Sequence, residues 1–332
     1  MQRPLLAITT CSALFLVTGN VLAQTSLTLY GIVDAGVVYE RGGATGSLTK
    51  LTSGVQSGSR LGFKGMEDLG GGLSAKFTLE AGFNTDTGTL GQGGLLFGRQ
   101  AWVGLGSRWG DVSVGRQYTP HYLLLDQIDP FGTGLAGNST NLMSTATRMN
   151  NTVKLATPTW GGFTGELAYG FGEVAGDNTA NRQIGASLGY ASGPLVLKVA
   201  HQRVEDGTGT DNARNTLLGG RFDFGVAAAS LGVGLNRGQG TTDNRDYMLG
   251  VTVPVGPGAL LASFTRKDDR SGLNADADQW ALGYTHPLSR RTNLYTSFAR
   301  INNDPGAGFT VGNATEPGSG DKAFNIGIRH KF

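Results

Sequence analysis

The chain has 332 residues with 55 glycines, one cysteine, 16% charged side chains and 27 basic against 25 acidic residues. Glycine without a three-residue period excludes collagen, and 39% apolar residues with evenly spread aromatics exclude a disordered polymer. The near-neutral charge gives no footprint for nucleic acid.

Residues 1–23 have the form of a secretory signal: Arg3, an apolar stretch from Leu5 to Val17, then Val21-Leu22-Ala23 as a small-x-small cleavage site. That stretch is shorter than the ~20 residues of a membrane helix. The expected mature chain, 24–332, is one domain. It loses Cys11 and Arg3, leaving no thiol for a disulfide, a nucleophile or a metal, and 26 basic against 25 acidic residues. It has no apolar run near ~20 residues, and the mean hydropathy of the whole 332-residue chain is -0.13. A transmembrane barrel keeps such a low mean because only alternate residues face lipid.

Alternation runs through the chain. Leu73, Ala75, Phe77, Leu79, Ala81 and Phe83 share one parity, and Ser74, Lys76, Thr78, Glu80, Gly82 and Asn84 the other. A period of two means a strand with one apolar and one polar face. Sixteen such segments begin near Ser26, Ser59, Leu73, Phe97, Asp111, Met149, Phe163, Arg182, Leu195, Asn215, Val226, Arg245, Ala259, Asp278, Thr292 and Lys322. Their connections alternate between short turns (68–72, 107–110, 158–162, 192–194, 223–225, 256–258, 287–291) and longer polar loops (41–58, 85–96, 119–148, 173–181, 205–214, 238–244, 267–277, 302–321). Even strand number with sorted connections predicts an all-β, 16-stranded antiparallel transmembrane barrel. Tyr39, Trp109, Trp160, Tyr190, Tyr295 and Phe298 sit at strand ends, where interfacial girdles lie.

The polar parity carries Arg60, Lys64, Lys76, Glu80, Lys154, Glu166, Lys198, Asp246, Arg329 and Lys331. So many charges in a dry core would cost several kcal/mol each. Sixteen strands close into a ring too wide for side chains to fill, so the inner face is expected to be wet. The longest connection, 119–148, carries Leu123-Leu124-Leu125, odd for an exposed loop. It is expected to fold inward against the wall and present Asp126 and Asp129 to the lumen.

At this point the chain resembles the general porins of the Gram-negative outer membrane, which are trimeric sixteen-stranded barrels. The resemblance rests on L-T-L-Y-G-I-V-D-A-G at 27–36, S-R-L-G-F-K-G with E-D-L-G-G-G-L at 59–73, F-G-R-Q-A-W-V-G-L at 97–105, G-R-Q-Y at 115–118 and the terminal I-R-H-K-F. It implies a basic ladder of Arg60, Arg99 and Arg148, with Lys64 on the parity of Arg60, facing Asp126 on the third loop. Asp129 is offset from the family's second acid, because it precedes Pro130 rather than following it. Ile32 stands where the family has a basic residue. The resemblance also implies a trimer contact at Arg116, whose parity points away from the lumen, and an assembly signal at Phe332 read by the barrel-assembly machinery.

The expected function is passive diffusion of ions and small hydrophilic solutes through a water-filled pore. Three arginines and Lys64 against two acids give a weak anion preference. The alternative is a substrate-specific outer-membrane channel, which would want a track of aromatics or a denser basic ladder. The expected partners are two further copies of the chain, outer-membrane lipid and lipopolysaccharide; no cofactor, metal or nucleic acid is expected. His121, His201, His286 and His330 fall in no metal-ligand or nucleophile spacing, so no enzyme is expected. The G-x-G-x-x-G match at 132–137 follows no strand and opens no helix, so no dinucleotide site is read there.

Overall fold

The computed structural model describes residues 26–332, so the signal segment at 1–23 lies outside the described residues. The strands are β1 (Ser26–Gly43), β2 (Gly46–Ser53), β3 (Arg60–Gly70), β4 (Leu73–Gly82), β5 (Gln100–Ser107), β6 (Gly110–Tyr118), β7 (Arg148–Ala156), β8 (Phe163–Gly170) and β9 (Gln183–Ser192). They continue as β10 (Leu195–Glu205), β11 (Asn212–Asp223), β12 (Ala228–Gly238), β13 (Asp243–Val255), β14 (Gly258–Asp269), β15 (Ala277–Pro287), β16 (Thr292–Asn303) and β17 (Lys322–Lys331). From β3 onward each strand pairs antiparallel with the next. The ring shuts where β1 pairs β17, from Ile32↔Lys331 to Arg41↔Lys322.

Seventeen segments make sixteen staves, because β2 and β3 lie end to end along the same edge of β1. β2 pairs its upper half and β3 its lower half. The sequence pattern predicts a loop over 41–58; instead β1 runs on to Gly43 and returns directly as β2. The break at 54–59 has a local cause. The buried Asp34 carboxylate accepts the backbone N–H groups of Val55 (3.1 Å), Gln56 (3.2 Å) and Ser57 (2.8 Å), together with the Tyr295 hydroxyl (2.7 Å). These bonds draw the segment inward and satisfy backbone donors that the ladder leaves free.

The outer face carries the apolar parity: Leu29, Val103, Leu167, Leu218, Leu249, Trp280, Leu282 and Ile326 are all exposed there. Exposed apolar side chains over the whole girth of a closed ring suit hydrocarbon, which tolerates no open sheet edge. Two of the short turns are Gly193-Pro194 and Gly256-Pro257, with φ +53° and +57° at the glycines. Proline cannot take the positive φ needed at the second position of a type I′ turn, so Gly-Pro selects type II′, which keeps the two strands in register. Of the proposed girdle aromatics, Tyr295 does not face lipid. It is 2% exposed and points inward to Asp34. Its parity is opposite to that of Leu294 and Phe298, and only its position near a turn suggested the girdle.

The long connection between β6 and β7 folds into the barrel. Thr119 caps a helix, α1 (Pro120–Ile128), by accepting the Tyr122 N–H at 3.0 Å, and Pro120 starts it. Leu124, Leu125 and Ile128 are fully buried against Ala200, Leu217 and Met248 on the inner wall, which accounts for the leucine run. Small residues make the room. A Cβ on Gly219 would stand 2.7 Å from Ile128 Cδ1, and one on Gly250 would stand 2.3 Å from Pro130 Cγ. Beyond α1 the loop carries Phe131, Leu135, Ala136 and Leu142 onto Leu261, Ala281, Tyr295, Ala299 and Ile301. Asn141 then bonds Gln279, and Ser144 N bonds Asp246, on the way back to β7.

Candidate pore constriction

The inward loop divides the lumen. Its apolar side covers β9 to β16, and its polar side faces the bare wall of β1, β3 to β7 and β17. Between them lies a cavity of about 1210 Å³ lined by Arg60, Arg99, Arg148, Arg221, Arg329 and Lys331 with Asp126, Asp129 and Glu316.

The three arginines of the predicted ladder come together. Arg60 opens β3 and donates Nε to Gly58 O at 2.9 Å. Arg148 opens β7, donates Nε to Arg99 O at 2.9 Å and lies 4.7 Å over the Tyr118 ring. Arg99 and Arg148 both donate to the Tyr118 hydroxyl, at 2.6 and 3.2 Å. Tyr118 stacks on Tyr122 of α1, with ring centroids 5.4 Å apart, so the ladder is tied to the loop it faces.

The alternation marks Glu80 only as an inward residue of β4, yet it belongs to this cluster. Its carboxylate accepts Arg99 Nε at 2.8 Å and the Tyr30 hydroxyl at 2.9 Å, and lies 4.0 Å from Arg60. Arg99 is 6% exposed, so its charge is largely spent on Glu80. The register Glu80↔Gln100 was the available signal: it puts Glu80 beside the residue that follows Arg99.

Asp126 faces the basic wall from α1, is exposed to the lumen, and accepts the Thr133 hydroxyl at 2.8 Å. Burial inside the barrel raises its pKa, opposed by that hydrogen bond and by Arg60 and Arg99. Asp129 behaves differently from its predicted role. Its carboxylate turns into the loop and accepts the backbone N–H groups of Phe131 (2.9 Å), Thr133 (3.1 Å) and Ser139 (2.9 Å). Placed before Pro130, it caps the following turn rather than pointing across the pore, and burial pushes its pKa up to about 6.

Lys64 is not part of the constriction. It points inward with Nζ 5.5 Å from the Tyr30 ring centroid, but it lies four residues along β3 from Arg60, roughly 13 Å away. Its place is taken from another strand. Ile32 pairs Lys331 of β17 on one side and Arg60 on the other, so basic groups flank the position where Ile32 replaces one. Arg329 donates to Asn293 (3.0 Å) and to Ser57 (2.8 Å), both neutral. The connection 304–321 also reaches the lumen: Glu316 bonds Lys50 and Thr52, each at 2.9 Å, and Asn138 of the third loop bonds Asn313 O.

Arg116 lies on the outer face and donates to Gly98 O at 2.7 Å and to the Asn150 side chain. Phe332 pairs backbone to backbone with Gly31, both bonds 3.1 Å, beside the β1–β17 seam.

A closed barrel with a lipid-facing apolar surface and a charged aqueous lumen narrowed by an internal loop defines an outer-membrane diffusion channel. The family model for Gram-negative porins matches residues 9–306, and the chain belongs to that family. It is 33% identical to outer membrane porin protein 32 of Delftia acidovorans, over the whole of both chains. An anion-selective porin from Comamonas acidovorans superposes with a TM-score of 0.81 at 31% identity, covering 93% of this chain and all of that one. OmpT of Vibrio cholerae, solved in a trimer form, covers 93% of this chain and 99% of its own with a TM-score of 0.68. At 16% identity it supports the fold alone. The protein is an outer-membrane porin through which small hydrophilic solutes pass passively.

Proposed function

We propose that this porin favours anions, and that Arg60, Arg99, Arg148, Asp126 and Glu80 set its narrowest point. The observation that carries this is the imbalance of unspent charge. Arg148, Arg221, Arg329 and Lys331 have no carboxylate within 4.0 Å among the described residues, and Arg60 only reaches that limit at Glu80. On the opposite side Asp126 is the one third-loop carboxylate that stays turned to the lumen, since Asp129 is consumed inside the loop. Fixed charges on a low-dielectric wall raise the local concentration of the opposite ion, and the opposed Arg and Asp rows orient a polar solute across the gap. The anion selectivity of the Comamonas porin supports the same sign.

The chain works as a homotrimer with Arg116 near the contact, its first 23 residues are removed on export, and Phe332 is the terminal signal for assembly. The outer-face position of Arg116 supports the contact. Lipopolysaccharide and the barrel-assembly machinery are the partners that an outer-membrane barrel requires. The test is the zero-current potential across a salt gradient for the purified trimer. An anion-favouring sign that weakens in Arg148→Ala and strengthens in Asp126→Asn supports the reading. A cation-favouring sign that survives Asp126→Asn overturns it.

A further inference from the structure

Below the constriction, the wet wall carries a smaller side cavity. It holds about 180 Å³ and is lined by Lys76, Gln100, Trp102, Asp111, Gln117 and Lys154. The chain has four tryptophans. Trp109, Trp160 and Trp280 are 71%, 56% and 57% exposed, in two short turns and on the lipid face of β15. Trp102 has the opposite parity to the lipid-facing Val103, so it is the one indole on the lumen wall. Its Nε1 donates to Gln100 at 3.2 Å, which holds the ring in one orientation. Trp102 pairs with Gly115, three residues along β6 from Tyr118, so a solute leaving the Tyr118–Tyr122 stack meets it roughly 10 Å further on.

The rim of this cavity differs from the constriction in charge. Lys76 is held by Asp111 at 2.9 and 3.0 Å. Lys154 lies 3.8 Å from Glu166, which also takes Lys198 at 3.3 Å. Each ammonium already faces a carboxylate, so a passing anion gains little here. The rim still offers donors and acceptors side by side around a flat apolar face with a negative π-surface. A neutral ring with C–H groups on one face and hydroxyls at its edge matches both; a plain aromatic solute would leave the rim unpaired.

We propose that this cavity is a transient binding site for a neutral pyranose, stacked on Trp102 with its hydroxyls on Lys76, Asp111, Gln100 and Lys154. The pore would then handle anions at the constriction and neutral sugars on the wall beyond it.

The experiment uses the full trimer in liposomes with Trp109→Phe, Trp160→Phe and Trp280→Phe, which leaves Trp102 as the sole indole, excited selectively at the red edge to avoid the tyrosines. Glucose is expected to change its emission saturably, half-complete at about 10 mM, while glycerol does not. In planar bilayers the otherwise native trimer should show glucose-dependent current noise that falls ~10-fold in Trp102→Ala and is partly kept in Trp102→Tyr. Emission that ignores glucose, or responds equally to glycerol, overturns the proposal. So does glucose noise that is unchanged in Trp102→Ala. Iodide should quench the emission, and failure to do so would contradict the lumen placement itself. Loss of this site leaves the sign of the salt-gradient potential intact, so the anion reading is tested separately.

Discussion

The two halves of the inner wall obey the same strand periodicity and have opposite chemistry. On β3 to β8 the inward positions include Arg60, Lys64, Lys76, Glu80, Lys154 and Glu166. On β9 to β16 they include Gly185, Ala200, Leu217, Gly219, Gly232, Met248, Gly250, Leu261, Ala281, Gly283 and Ala299. The first set keeps water against the wall. The second is small or apolar where the third loop lies on it and removes it from water; polar residues of these strands either bond the loop, as Asp246 and Gln279 do, or stay partly exposed nearer the turns, as Lys198 and Arg221 do. One half of the ring is therefore a pore lining and the other half is a packed core, and the loop between them decides which is which.

The comparison breaks most readily at the packed half. Leu124→Ala leaves a cavity under α1 and should cost about 2–5 kcal/mol of loop docking, read as a lower unfolding temperature of the trimer and faster proteolysis within 119–148. Gly250→Val drives a side chain into Pro130 and should cost about 1–3 kcal/mol by the same measurements. Near the turn end of β9, where no third-loop atom approaches, Gly189→Ala meets only Thr164 Oγ1 at 3.1 Å and side-chain carbons of Lys198 at 3.4 Å, and should be nearly silent. Equal sensitivity at loop-covered and uncovered positions would contradict the division.

Charge sharpens the comparison from the other side. A unit charge ~10 Å away in water changes an ion's energy by ~0.4 kcal/mol, about twofold in occupancy. Glu80→Gln releases the charge of Arg99 and should raise the anion preference by about that factor, whereas Arg148→Ala should lower it by a similar factor. Reversal potentials of the two variants, measured against the parent, give the check.

Acid dependence gives a separate check. Burial holds Asp129 at about 6 against an ordinary 3.8, so the docked loop binds a proton that the unfolded chain releases. Its stabilising contribution is complete below pH ~4 and is lost as pH rises through ~6. Thermal unfolding between pH 4 and 7 should show this slope, and Asp129→Asn should flatten it. The pKa of Asp126 is raised as well, so acid that removes its charge should increase the anion preference.

The barrel was legible in the sequence because each strand repeats one rule. Every observed wall strand begins within three residues of its expected start, counting β2 with β1 as the hairpin extension the pattern missed. The arginine ladder was legible through motif resemblance. What escaped depends on pairs far apart in the chain. Glu80 reaches Arg99 and Tyr30 only through strand register, and Asp34 meets Tyr295 only once the ring closes. Tyr295 shows that a residue's place near a turn says less than its parity. Lys64 shows the reverse, since parity alone does not give depth along the lumen. Trp102 sat inside the F-G-R-Q-A-W motif, and its inward parity was the signal available.

An aqueous, electropositive constriction between the third loop and the bare wall can be probed directly. Gln127 is exposed on α1 and lines the lumen, and the chain's one native cysteine is Cys11 in the expected leader. Gln127→Cys therefore places a single thiol at the gap. Single-channel current is recorded while an anionic or a cationic methanethiosulfonate is added. Both reagents are expected to change the conductance, with the anionic one reacting several-fold faster in a salt-dependent way. Unchanged conductance, or faster reaction of the cationic reagent, would contradict it.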